Sequence, residues 1–160
     1  MTKRLFWQDP YLRRLDTKVL RVDGEGIILE ETILYAESGG QESDTGTIAE
    51  LRVREARDIG SEIIYTVDAA HDLKVGDKVT VQLDWERRYR LMRLHFAAEV
   101  VLVLIGRMLP GIERIGAHIA EHKARIDFLL EKSIAPLLGE IGRQAEELVL
   151  SDIPIISAFS

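Results

Sequence analysis

The apolar pattern of this chain changes once, between residues 83 and 84, and this change constrains the fold most. Before it, short runs rich in Val, Ile, Leu and Thr alternate with turn signals, which is typical of a small antiparallel β-barrel. The predicted strands cover residues 17–22, 26–30, 47–56, 62–67 and 78–83. We therefore predict a barrel over residues 1–83 and a second unit over residues 84–160.

The second unit begins with a long predicted helix. Asp84 is suited to cap the N-terminus of a helix over 85–108, and Pro110 marks its end because proline cannot continue the hydrogen-bond ladder. Apolar side chains at spacings of three and four predict one common face, made of Trp85, Tyr89, Met92, Phe96, Val100 and Val103. Strands over 116–120, 124–130 and 153–159, with a second helix from Pro136 to Leu150, complete an α+β fold.

Composition excludes several classes of protein. Hydrophobic residues make up 46% of the 160 residues and charged residues 30%, which excludes a disordered chain. No apolar run approaches the roughly 18 residues that cross a bilayer. The chain has no cysteine, which excludes disulfides, thiolate nucleophiles and Cys-bound zinc. We expect a cytoplasmic protein that has no membrane partner.

Net charge is −6, so a nucleic-acid partner requires a local basic patch. The densest patch lies at the start of the predicted helix and holds Arg87, Arg88, Arg90 and Arg93. These side chains are candidates for contacts with phosphates. The alternative is a solvated helix face, which is the usual meaning of such a run.

His95 and Glu99 are the most unusual pair on this helix. They are four residues apart, so their side chains share a face. Glu99 stands among apolar residues, and a carboxylate withdrawn from water must be paired, bound to metal or protonated. Three interpretations remain open, namely a general base, two ligands of a zinc ion, or an ion pair with Arg93 or Arg107. His118 is either a third group beside the helix or an exposed histidine.

The segment 37–46 is a polar loop with two adjacent glycines. Gly39 and Gly40 allow close approach of a ligand or of another backbone segment, and Ser38, Gln41 and Thr45 offer neutral hydrogen-bonding groups. The loop lacks the lysine and the spacing of a phosphate-binding loop. It is either part of a binding pocket or a long hairpin turn.

Three motifs, in one order along the chain, together resemble a known family. They are Leu5-Phe6-Trp7-Gln8-Asp9-Pro10-Tyr11, the segment 35–46 that contains Gly-Gly-Gln and Asp-Thr-Gly, and Leu83-Asp84-Trp85-Glu86-Arg87-Arg88 leading to Met92-Arg93-Leu94-His95. The segment 123–128 extends the similarity. The chain resembles the free-standing alanyl-tRNA editing proteins, which are relatives of the editing domain of alanyl-tRNA synthetase.

This resemblance implies a barrel that carries the glycine-rich loop, followed by an α/β editing domain. It implies hydrolysis of the ester that joins serine or glycine to the acceptor end of tRNA for alanine. The resemblance also implies zinc as a cofactor and tRNA as the partner. By this resemblance, the residues that shape the substrate pocket are Ser38, Gly39, Gly40, Gln41, Asp44 and Thr45.

The sequence departs from the family pattern at the expected zinc site. Glu99 replaces the second helix histidine, and the later Cys-x-x-x-His segment is absent from these 160 residues. His95, Glu99 and His118 are the remaining candidate ligands. A catalytic deacylase is therefore one hypothesis. A non-catalytic tRNA-binding relative and a fragment of a longer editing protein are the alternatives.

Overall fold

The computed structural model describes residues 1–156. Eight strands come first in the chain, and a long helix, a hairpin and a second helix follow them. In order, the elements are β1 Lys3–Arg4, β2 Arg14–Asp23, β3 Gly26–Leu29, β4 Glu31–Thr32, β5 Gly46–Ile48, β6 Leu51–Asp58, β7 Ile63–Val67, β8 Lys78–Leu83, α1 Trp85–Met108, β9 Glu113–Ile119, β10 Ala124–Leu129 and α2 Leu138–Leu150.

Six of these strands form a closed antiparallel barrel in the order β2-β3-β7-β6-β5-β8. Every second residue of β7 points inward, so that Ile63, Tyr65 and Val67 are buried, as the period of a strand requires. Burial raises the pKa of Tyr65, whose hydroxyl donates a hydrogen bond of 2.8 Å to the carbonyl of Leu34. The predicted barrel and the α+β class are confirmed.

One predicted strand, over residues 47–56, is wrong in its extent. The structure divides it into β5 and β6, which pair through a two-residue turn at Ala49 and Glu50. Both residues have positive φ, at 50° and 68°. Neither residue type signals a turn of this kind, because left-handed backbone favours Gly, Asn and Asp.

Helix α1 begins and ends where the sequence predicts. The backbone N–H of Arg87 donates to Asp84 Oδ1 at 3.2 Å, which confirms the capping residue. The predicted apolar face is not the buried one, however, because Tyr89, Phe96 and Val103 are exposed. The residues that α1 buries are Arg88, Leu91, Ala98, Leu104 and Ile105.

The C-terminal elements pack against this buried side of α1. Ile119 of β9 contacts Leu91 and Ala98, and Ile141 of α2 contacts Leu104 and Ile105. The predicted hairpin and second helix are confirmed. Residues 153–156 have no regular structure, and the rest of the predicted strand 153–159 lies outside the described residues. Within residues 1–156, no helix is long and apolar enough to span a membrane.

Candidate functional site

The glycine-rich loop ends in a tight turn. The backbone N–H of Gln41 donates to the carbonyl of Ser38 at 3.0 Å, and the reverse bond measures 3.3 Å. Gly39 and Gly40 lie between them with φ of 61° and 82°. Positive φ at both central residues defines the two-residue hairpin turn that glycine favours. The hairpin interpretation of this segment is therefore correct at its tip.

The turn lies directly against strand β9. The N–H of Ile119 donates to the carbonyl of Gly40 at 2.8 Å, and the N–H of Glu42 donates to the carbonyl of Ile119 at 3.0 Å. A Cβ atom at Gly40 would stand 2.4 Å from the carbonyl oxygen of Ala117. Glycine at this position thus allows one backbone to approach another, as the sequence suggests.

This contact predicts that Gly40→Ala is more destabilising than Gly39→Ala. Both variants place a side chain on left-handed backbone, at a cost of roughly 1–2 kcal/mol. Gly39 has open space around it, whereas Gly40 also meets Ala117, which adds about 1–3 kcal/mol. Urea denaturation of the two variants measures the difference. Equal loss in both variants would contradict the contact.

His95 on α1 contacts the tip of the loop. Its Nδ1 lies 2.6 Å from Gln41 Oε1, and its Nε2 lies 3.7 Å from Glu99 Oε1. An amide oxygen only accepts, so Nδ1 donates and the neutral ring keeps its lone pair on Nε2. The His95 and Glu99 side chains are 47% and 53% exposed. The prediction that apolar neighbours withdraw Glu99 from water is therefore wrong.

The arrangement supplies two donors that fit one metal ion. Two ligands of a tetrahedral zinc, with bonds of about 2.0–2.2 Å, stand roughly 3.4 Å apart. His118, the third candidate, instead places Nε2 3.5 Å from Glu42 Oε1. Over residues 1–156, no three His, Asp or Glu side chains cluster as a metal site would require. A catalytic zinc needs three protein ligands, so the described residues do not form a closed ligand set.

The base of the loop is held by a buried ion pair. Arg88 donates from Nε to Asp44 Oδ1 at 2.9 Å and from a terminal nitrogen to the other carboxylate oxygen. It also donates to the carbonyls of Pro10 and Ile33, while Asp44 accepts from the N–H of Tyr35 at 2.6 Å. The Arg88 side chain is 4% exposed. The Arg88 and Asp44 side chains are buried against each other. This corrects the predictions that Arg88 contacts tRNA and that Asp44 contacts the substrate.

Arg87 is also committed to the protein itself. It donates to Glu42 and Glu121, each at 2.7 Å, and to the carbonyl of Ser43 at 3.2 Å. Burial opposes its charge, but the hydrogen bonds to the two carboxylates raise the pKa of Arg87. The bond from Arg87 lowers the pKa of Glu121. The sequence did not identify Glu42 and Glu121 as partners of Arg87, because they lie 45 and 34 positions away from it in the chain.

The remaining candidates lie at the edges of this assembly. Thr45 donates its hydroxyl to Asp84 at 3.1 Å, so it supports the helix cap. Arg90 pairs with Glu121 at 3.0 Å and keeps half of its side chain exposed. Arg93 lies against the ring of Tyr89, with 5.8 Å from Cζ to the ring centroid. Of the four arginines, these last two reach the surface.

Comparisons with known proteins place this chain in a family. Residues 10–87 match the family model of tRNA synthetases class II (A). The chain is 34% identical to the alanyl-tRNA editing protein AlaX-M of Saccharolobus solfataricus, over 97% of this chain and 67% of that protein. It is 33% identical to AlaX-M of Methanosarcina barkeri, over 97% of this chain and 68% of that protein. The chain belongs to the alanyl-tRNA editing protein family.

The chain also matches part of a much larger enzyme. The chain is 38% identical to the alanine–tRNA ligase of Ignicoccus hospitalis, over 92% of this chain and 16% of the ligase. The chain thus spans about two thirds of the AlaX-M proteins and under a fifth of this ligase. The family resemblance inferred from the motifs is confirmed. In the fold, the motifs 35–46 and 83–95 join through Gln41–His95, Asp44–Arg88 and Thr45–Asp84.

Proposed function

We propose that this chain hydrolyses mischarged tRNA for alanine, removing serine or glycine in trans. Family membership supports a role in alanyl-tRNA editing. The observation that carries the proposal for this chain is the contact of 2.6 Å between His95 Nδ1 and Gln41 Oε1. It joins the most distinctive loop of the family motif to a side chain with acid–base chemistry.

In the proposed reaction, His95 moves a proton while water attacks the ester. Gln41 holds Nδ1–H, so the lone pair on Nε2 accepts a proton from the water. The resulting hydroxide adds to the ester carbonyl. The bond between the acyl carbon and the ribose oxygen then breaks. The ribose oxygen takes the proton back from Nε2, which yields the free amino acid and uncharged tRNA. Glu99, at 3.7 Å, stabilises the positive ring between the two transfers.

The loop supplies the groups that would contact the amino acid. Ser38 and Gln41 are polar, and Gly39 has open space where a side chain would stand, whereas Gly40 packs against β9. A site that hydrogen-bonds a substrate hydroxyl discriminates strongly against an analogue that lacks it. Serine carries such a hydroxyl and alanine does not, whereas the proposed removal of glycine rests on the family resemblance. Asp44 and Thr45 act on this loop only indirectly, by holding its base.

Zinc remains a prediction for this site. His95 and Glu99 would supply two of its ligands, and no step above depends on it. Metal analysis of the purified protein, together with a chelator titration followed by thermal denaturation, tests binding separately from activity. One equivalent of zinc that disappears in Glu99→Gln supports the assignment, and a metal-free protein contradicts it.

The function itself is tested by deacylation of purified tRNA for alanine charged with serine, glycine or alanine. We expect hydrolysis of the seryl and glycyl esters well above the buffer rate, and little hydrolysis of the alanyl ester. Release of labelled amino acid measures the rate. No turnover of any of the three esters would contradict the proposal.

A second function, tRNA binding without catalysis, is favoured by one observation. The described residues bring two zinc donors together rather than three. Binding of tRNA that weakens with salt, with no deacylation, would identify this function, because phosphate contacts release counterions.

A further inference from the structure

Aromatic side chains form a continuous row where α1 meets the barrel. We define the aromatic row as Tyr11, Trp85 and Tyr89. The rings of Trp85 and Tyr89 are stacked, with centroids 5.4 Å apart and planes at 24°. The ring of Tyr11 follows at 5.5 Å from Trp85, tilted by 42°. The row therefore presents three ring systems in sequence, with two of them nearly parallel.

Two arginines lie against the row. Arg13 places Cζ 4.2 Å from the ring centroid of Trp85, and Arg93 places Cζ 5.8 Å from that of Tyr89. Both distances are within the range of cation–π attraction. The row thus combines apolar ring faces with positive charge, on a chain whose net charge is −6.

The ends of the row are open to solvent. Tyr11 is 58% exposed and Tyr89 is 41% exposed. Phe96, which is 46% exposed, lies two turns further along α1. Trp85, between Tyr11 and Tyr89, is partly buried against the barrel core, so the row is fixed at its centre and offers ring surface at its ends.

Two members of the row lie on the helix that also carries His95 and Glu99. From Tyr89 to Phe96 the helix rises about 10 Å, at roughly 1.5 Å per residue. Phe96 is adjacent to His95, and Glu99 is one turn further on the same side as Phe96. His95 is six positions after Tyr89 and therefore lies about 120° around the helix from it, so a strand on the row reaches the level of His95 but must turn around α1 to meet its ring.

We propose that the aromatic row stacks the bases of an unpaired RNA end and brings that end to the level of His95 on α1. Every base has an aromatic face, so stacking tolerates any sequence, and the neighbouring arginines match the phosphates. Arginine and aromatic side chains are also common at protein interfaces, so a protein partner is the competing outcome of the test. The placement of the RNA end at the level of His95 rests on the proposed function, whereas the stacking does not.

The test uses uncharged RNA hairpins that share one stem. One hairpin carries an unpaired 3′ end of about four nucleotides, which is the lower size of a single-strand site, and the other is blunt. We expect the wild-type protein to bind the hairpin with the unpaired end more tightly than the blunt hairpin, with quenching of Trp fluorescence. Tyr89→Ala and Tyr11→Ala should each weaken this binding about 5- to 100-fold and leave the blunt hairpin unaffected.

Two matched controls separate stacking from general effects. Trp7→Ala removes another exposed ring, one that packs on Phe6 and Arg4 instead, and should leave binding unchanged. Tyr89→Phe keeps the ring and should restore binding. Arg93→Gln should lower the slope of log affinity against log salt by about one contact, whereas Arg57→Gln, on β6, should not.

The outcomes distinguish this inference from the proposed function. Preference for the unpaired end that depends on Tyr89, without deacylation, supports the row and overturns the deacylase. Deacylation with unchanged KM and unchanged hairpin binding in Tyr89→Ala overturns the row and leaves the deacylase. A change of oligomeric state in Tyr89→Ala, with RNA binding intact, overturns the row in favour of a protein interface.

Discussion

Asp44→Ala is expected to lower the free energy of unfolding by about 3–5 kcal/mol, because it leaves the Arg88 guanidinium buried without a counter-charge. Arg88 is 4% exposed, so water cannot replace the lost carboxylate. The variant also removes the acceptor for the N–H of Tyr35. Native stability is typically about 5–15 kcal/mol, so the loss is a large share of it. Urea denaturation monitored by circular dichroism measures this change.

A matched control on the surface shows how much of the effect is burial. Asp16 pairs with Arg14 at 3.7 Å, and both side chains are largely exposed. Asp16→Ala should therefore cost no more than about 1 kcal/mol. The double variant Asp44→Ala with Arg88→Met should be more stable than the sum of the single losses predicts, because no unpaired charge remains. A loss in Asp44→Ala as small as in Asp16→Ala would refute the anchoring role.

His95→Ala is expected to lower kcat/KM for deacylation of seryl-tRNA for alanine by about 10²- to 10⁴-fold, the usual contribution of a positioned acid–base group. The ring is the proton acceptor in the proposed reaction, and alanine has no group to replace it. Measurement of amino acid release at several tRNA concentrations gives kcat and KM separately. Folding should be little affected, since about half of the side chain is exposed.

Two further variants define how His95 acts. Gln41→Ala removes the acceptor that orients the ring and also one polar group of the proposed substrate site, so we expect a smaller fall in kcat than in His95→Ala together with a rise in KM. His122→Ala alters another histidine, whose side chain is exposed in the turn after β9, and should leave the rate unchanged. A wild-type rate in His95→Ala would assign the chemistry elsewhere, even if the chain proves to be a deacylase.

Local sequence patterns predicted much of the fold. Turn residues and β-branched runs located the barrel strands, and Asp84 with Pro110 located both ends of α1. The single strand predicted over residues 47–56 was wrong at Ala49 and Glu50 for a local reason as well. These residues adopt left-handed backbone, which their side chains disfavour. The barrel hydrogen bonds of β5 and β6 hold the turn in place despite that preference.

The face of α1 could not be read from periodicity. Apolar residues occur on several sides of this helix, so spacing alone did not distinguish the stripe that contains Leu91 and Ala98 from the one that contains Tyr89 and Phe96. The hairpin β9–β10 and helix α2 cover the first stripe and leave the second to solvent.

The sequence by itself determined the barrel, the bounds of the long helix and the family to which the chain belongs, because strand and cap signals act between near neighbours and family motifs are contiguous. Only the tertiary structure decided that Arg88 is an internal anchor and that His95 contacts Gln41. The partners Asp44 and Arg88 are 44 positions apart in the chain, and His95 and Gln41 are 54. Contacts at such separations form only when the barrel closes and the helix packs against it, so no local pattern records them.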